Sequence, residues 1–284
     1  MKSLYLVESD GLEFMGAEGG ALRIEQKGKA PWYVPAARVE RAVVWGSVRL
    51  DTEALGLLLR RNVPISFVAR GGETLGIAWS PAERLARPAL LLAARRADPQ
   101  WREAYRRRLD AWVREARLDL VRRLDPATAE RWCERGLRGR DWQAWRRVRL
   151  EPLEPGVDPV WKYLRGLVWE TVTARVLAEG FDPHAGVLDA RQRYGFVREM
   201  TRPFVPWIDG CVLTGARAGL LPRADSGGAE LTPAQLRRWT ARFEGDREWL
   251  DRDLGRRLGE VARLARDWQP SLDARRPPRE RRAP

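Results

Sequence analysis

Apolar and polar positions follow a strand-like pattern over the first eighty residues and a helical one after that. Ala21-Leu22-Arg23-Ile24-Glu25 alternates at period two, as a half-buried strand does. Leu4, Leu6 and Val7 begin a short apolar run, and Ala42-Val43-Val44-Trp45 and Ile65-Ser66-Phe67-Val68 are rich in β-forming residues. Gly19-Gly20 and Gly71-Gly72 lie between such runs and permit tight hairpin turns. The stretch Thr52 to Arg61 predicts a short helix with Leu55, Leu58 and Leu59 on one face, after which Asn62-Val63-Pro64 returns the chain to a strand. Beyond breaks at Ser80-Pro81 and Pro88 the period changes. Trp101, Tyr105, Leu109, Trp112, Ala116 and Leu120 form one helical stripe; Val160, Leu164, Leu167, Val168, Val172 and Val176 form a second. Thr232-Pro233 is a helix start, a hydroxyl cap followed by proline at the first helical position. Leu250, Leu254, Leu258, Val261 and Leu264 then mark one helix or a helix pair.

These elements predict an α+β fold: a small N-terminal β-sandwich-like domain over residues 1–80, a linker over 81–90, and a larger all-helical domain over 91–270. Residues 271–284 are rich in Arg and Pro without apolar pattern and predict a disordered basic tail. Such a tail is either a solvated end or a loose phosphate-binding arm.

Charge adds a partner class. Lys and Arg number 52 against 39 acids, for a net charge of +13, and only Lys2, Lys27, Lys29 and Lys162 are lysines. Arginine binds phosphate through a planar fork and stacks on flat rings, so a basic, Arg-rich surface suits nucleic acid. Genomic base composition or heat adaptation accounts for the same excess. Residues 91–150 interleave arginines with Trp101, Trp112, Trp132, Trp142 and Trp145, and Arg106, Arg107, Arg108, Arg146 and Arg147 are the candidate DNA contacts. Trp101 and Trp112 belong to the stripe and read as core, whereas Trp142 and Trp145 read equally as core or as stacking platforms. Cys133 and Cys211 are too few for a disulfide scaffold or a cysteine metal site and read as buried thiols in a reducing compartment. With no signal peptide and no apolar run near the roughly 20 residues that span a bilayer, the expected location is the cytoplasm, with no membrane partner.

Three stretches carry a family resemblance. The first is Val43-Val44-Trp45-Gly46-Ser47-Val48 with the leucine-rich helix, Asn62-Val63-Pro64-Ile65-Ser66-Phe67 and Gly71-Gly72-Glu73-Thr74-Leu75-Gly76. The second is Asp158-Pro159-Val160, opening a helix that runs to Gly180. The third is Gly180-Phe181-Asp182-Pro183-His184-Ala185-Gly186-Val187-Leu188, followed by Arg202-Pro203-Phe204-Val205-Pro206. In that order they resemble the CRISPR-associated spacer-acquisition integrases, over roughly residues 3 to 210.

The resemblance implies a metal-dependent DNA endonuclease or integrase that joins a DNA 3′-hydroxyl to a phosphodiester with Mg²⁺ or Mn²⁺ held by a Glu, a His and an acidic pair. On this chain the Glu position falls on Arg138, or on Asp141 if the alignment shifts. The His position falls on Asp189, and the acidic pair falls on Glu199 and Arg202. Trp161 stands where the family has an Asn, and Val205 where it often has a basic residue. Arginine keeps its proton and repels a divalent ion, so this set predicts weak or absent metal binding, with Arg138 and Arg202 paired to Asp189 and Glu199 or open to a phosphate. The opposite case is an all-carboxylate magnesium site of Asp141, Asp189 and Glu199. His184, the only histidine, reads as a surface turn residue. Three functions stay open: a non-catalytic integrase subunit supporting an active sister, an active carboxylate-only integrase, and a general basic nucleic-acid-binding protein. The resemblance further implies a homodimer, or a heterodimer with an active sister integrase, dimerised through the β domain, and a small ferredoxin-like CRISPR adaptation partner.

Overall fold

A computed structural model describes residues 2–8, 12–70, 74–80, 87–153, 156–222 and 231–269. Strands β1 (Lys2–Val7), β5 (Val39–Trp45), β7 (Ile65–Val68) and β8 (Thr74–Ala78) form one sheet in the order β1-β5-β7-β8. The first three run parallel and β8 antiparallel. Strands β4 (Trp32–Pro35), β3 (Ala21–Gln26), β2 (Leu12–Glu18) and β6 (Arg49–Leu50) form the second sheet. Leu4, Leu6, Ala42, Val44 and Ile65 of the first sheet meet Leu12, Met15, Leu22 and Ile24 of the second, with Leu58 of α1 (Thr52–Arg60) completing this core.

Strand β5 is buried on both faces, which explains its unbroken apolar run. Ala42 and Val44 point between the sheets, while Val43 and Trp45 join the core of the helical region. The Trp45 ring packs 4.6 Å from that of Tyr163. Arg41 shares the outward face and is 3% exposed. It pairs with Glu170 and donates to Tyr5 Oη and Glu244 Oε1 at 2.6 Å each, to Ser3 Oγ at 2.9 Å and to Thr171 Oγ1 at 3.2 Å. This buried ionic cluster ties the sheet to the helices that follow.

Those helices are α2 (Arg87–Arg95), α3 (Pro99–Leu124), α4 (Pro126–Arg135), α5 (Gly139–Leu150), α6 (Val157–Ala178), α7 (Gly195–Thr201), α8 (Val205–Arg217) and α9 (Pro233–Arg266). Asp98 caps α3 by accepting from the N–H of Gln100 and Trp101. Thr232 and Gln235 cap the start of α9 reciprocally. α9 is a single helix, which settles the choice between one helix and a pair. The long stripes of α3 and α6 pack against α8 and α9, burying Trp101, Tyr105, Leu109, Trp112, Val160, Leu164, Leu167 and Val172.

Several expectations need correction. Residues 87–90 begin α2 and are not linker, because Pro88 in a first helical turn removes no hydrogen bond. Residues 81–86, the Gly71-Gly72 turn and the tail 271–284 lie outside the described residues. Cys133 is exposed on α4, and only Cys211 is buried. Trp142 and Trp145 are core: they stack on each other with ring centroids 5.4 Å apart, and Arg117 and Arg149 lie over their outer faces. Among the described residues no helix is long and apolar enough to cross a membrane.

Candidate nucleic-acid site

The turn between α6 and α7 is built from local chain geometry. Asp182 Oδ1 accepts the backbone N–H of His184 at 2.8 Å, folding the Asp-Pro-His segment. His184 Nδ1 in turn accepts the backbone N–H of Tyr194 at 3.2 Å, and the two rings lie 4.4 Å apart. Gly186 and Gly195 let the turn close: a Cβ on Gly186 would stand 2.8 Å from the Gly195 carbonyl carbon, and one on Gly195 2.5 Å from the Asp189 carbonyl oxygen. This close approach sets Asp189 beside α7.

Glu199 on α7 is fully buried. Its Oε1 accepts the N–H of Leu188 at 2.6 Å and of Asp189 at 2.8 Å, and its Oε2 accepts the Tyr105 hydroxyl at 2.7 Å. Burial raises its pKa, against the pull of these donors, and burial with the nearby carboxylate pushes the Tyr105 phenol up as well. Arg202 reaches back over the turn and donates to Asp189 Oδ2 at 2.8 Å. The structure therefore gathers Asp189, Glu199 and Arg202, with Tyr105 as a member that the stripe hid as one more core aromatic.

Arg138 and Asp141 are employed elsewhere. Arg138 is exposed at the boundary of α5, where Asp141 Oδ2 accepts its backbone N–H at 3.3 Å. Asp141 Oδ1 also lies 3.5 Å from the Arg135 guanidinium. Trp161 donates its Nε1–H to Asp209 at 2.9 Å, and Arg146 grips the same carboxylate through Nε at 2.8 Å and Nη2 at 3.1 Å. Burial raises the Asp209 pKa while Arg146 pulls it down. Asp209 went unnoticed in the sequence, although a lone acid inside the apolar run Val205–Leu213 was its signal. Val205, half-buried, opens α8.

As arranged, this set already spends several of its carboxylate acceptor sites on protein donors. Magnesium or manganese needs several oxygen ligands with free lone pairs. Here both Glu199 oxygens accept protein donors, and an arginine occupies Asp189. Among the described residues no three His, Cys, Asp or Glu side chains stand together as a metal group. A guanidinium within about 4 Å of such a doubly charged ion would repel it by roughly 8 kcal/mol at an effective dielectric near 20. Arg202 is 43% exposed, so water reduces this figure. Arg202→Ala is accordingly expected to tighten Mn²⁺ binding by about tenfold, read by titration against the Mn²⁺ electron-spin signal.

The candidate DNA arginines differ in availability. Arg147 is exposed on α5. Arg106 and Arg107 share Glu103 on the α3 surface, and Arg108 pairs with Glu260. These surface pairs are weak enough for a phosphate to displace. Arg146 is committed to Asp209.

Comparison with known proteins agrees with this architecture. The family model described as CRISPR associated protein Cas1 matches residues 4–123. CRISPR-associated endonuclease Cas1 1 of Thermus thermophilus is 29% identical over 261 residues, covering 79% of this chain and 81% of that protein. Among solved structures, a Cas1 protein from Thermotoga maritima superposes with a TM-score of 0.79 at 16% identity, over 95% of this chain and 98% of its own. A casposase bound to integration product superposes at 0.73 and 17% identity, over 95% and 92%. At these identities the superpositions speak for the fold alone. The chain is similar to the CRISPR-associated Cas1 proteins, in sequence over residues 4–123 and in fold over nearly its whole length.

Proposed function

We propose that this chain is a Cas1-family subunit that holds DNA, prespacer or repeat, without transferring strands itself, and that it supports an active sister integrase. The observation that carries the reading is the Arg202–Asp189 ion pair above a Glu199 whose oxygens are already bonded. Attack of a 3′-hydroxyl on a phosphodiester builds negative charge on phosphorus, which the family offsets with a divalent ion. A guanidinium at that place can still hold a phosphate but aligns no attacking oxygen. The net charge of +13 and the exposed Arg106, Arg107, Arg108 and Arg147 favour a DNA partner, as does likeness to a casposase bound to integration product. The proposed assembly is a homodimer or a heterodimer with an active sister, bridged by a small ferredoxin-like adaptation partner.

The test is strand transfer by the purified chain alone, with a hydroxyl-ended oligonucleotide and a repeat-bearing duplex in Mg²⁺ or Mn²⁺. No joined product is expected, while duplex binding persists and weakens steeply with salt. Metal-dependent product that Asp189→Ala or Glu199→Ala abolishes would overturn the reading.

A further inference from the structure

The 3-10 turn Arg202–Phe204 serves two places at once. Arg202 faces Asp189, while Pro203 lines a cleft of about 480 Å³ between α3, the start of α8 and α9. That volume lies in the range of small-molecule sites. Trp249, 49% exposed, stands at this cleft on α9. Arg122, Arg123, Arg256 and Arg257 line it as well. Of the acids there, Asp119 is taken by Arg122, and Asp253 by Arg256 and Arg257; Glu115 is the third. Arg123 is exposed and donates to the Asp119 backbone carbonyl at 3.3 Å, so its charge is not matched by that contact.

Arg257 forms the floor. It is 5% exposed, and its guanidinium lies 5.2 Å from the Trp112 ring centre and 5.8 Å from that of Phe204. Its Nε donates to Asp253 at 2.6 Å, but its Nη1 is buried without a hydrogen-bond partner. A buried, charged donor left unbonded is costly, and an anion in the cleft offsets its charge through space. An indole at the mouth, an arginine free to take a phosphate, and a fixed cation below are the components that bind single-stranded nucleic acid: a ring for the base and charge for the backbone.

We infer that this cleft takes one unstacked nucleotide of single-stranded DNA, its base on Trp249 and its phosphate at Arg123 above Arg257. The inference rests on the reading that the chain holds DNA, and duplex binding by the wild-type protein tests that reading separately.

The experiment compares a short oligo(dT), the same strand with abasic sites, and a duplex. Trp249→Ala is expected to weaken oligo(dT) binding by about tenfold, with Trp249→Phe retaining most of it. The abasic strand and the duplex should bind wild type and Trp249→Ala alike. Arg123→Gln, a surface change, should lower the salt slope for the single strand by about 0.7. Unchanged oligo(dT) binding in both variants, or an equal loss on the duplex, would overturn the cleft while leaving DNA binding intact. Failure of the wild type to bind any DNA would overturn both.

Discussion

Arg41→Ala is expected to lower the free energy of unfolding by about 3–5 kcal/mol, the usual cost of removing one partner of a buried ion pair. The arginine is the common donor to Glu170, Glu244, Tyr5, Ser3 and Thr171. Its loss leaves the fully enclosed Glu170 without its cation, and Glu170 Oε1 already lacks a partner. Burial raises the Glu170 pKa and Arg41 opposes that, so the substitution raises it further. A carboxyl whose folded pKa exceeds its unfolded value favours the native state fully below the unfolded value. That contribution is lost as pH rises through the folded pKa. The deficit of Arg41→Ala relative to wild type should therefore be smallest in acid and grow toward neutrality. Urea unfolding across pH measures it, and a deficit that is flat with pH would count against this account of Glu170.

Arg146→Ala should be the second large effect, about 2–4 kcal/mol of stability with little change in DNA affinity. Arg146 looked like a DNA contact in the sequence, but the Nε–Nη2 edge of its guanidinium is held by the fully buried Asp209. Removing it leaves that carboxylate with Trp161 alone. Arg147→Gln, one residue on and exposed, should do the reverse: stability within about 0.5 kcal/mol of wild type and weaker duplex binding. Paired melts and binding titrations separate the two, and equal losses of DNA affinity would show that Arg146 also reaches the phosphates.

The strands and helices were legible because burial imposes its period directly on the chain. The two-sided burial of β5 shows as Ala42-Val43-Val44-Trp45, and the cap of α9 shows as Thr232-Pro233. Contacts between distant polar residues were not legible. Nothing local says that Arg146 meets Asp209 sixty-three positions away, or that Tyr105 reaches Glu199 across ninety-four. Asp209 in α8 did leave a hint, as did Arg41 in β5 and Glu170 in α6, each a charged residue beside apolar positions; Glu199 left none. Periodicity also left the role of Trp142 and Trp145 open, because an arginine beside a tryptophan reads the same whether the ring lies in the core or on the surface. The arrangement of Asp189, Glu199 and Arg202 depends on the Gly186–Gly195 contact, which brings two segments together only in three dimensions.

The most direct test is a crystal of the chain soaked in Mn²⁺ and measured at the manganese absorption edge. No anomalous peak is expected between Asp189 and Glu199, with the Arg202 guanidinium still on the Asp189 carboxylate. A peak there, with Arg202 swung away and both carboxylates turned toward the metal, would contradict it.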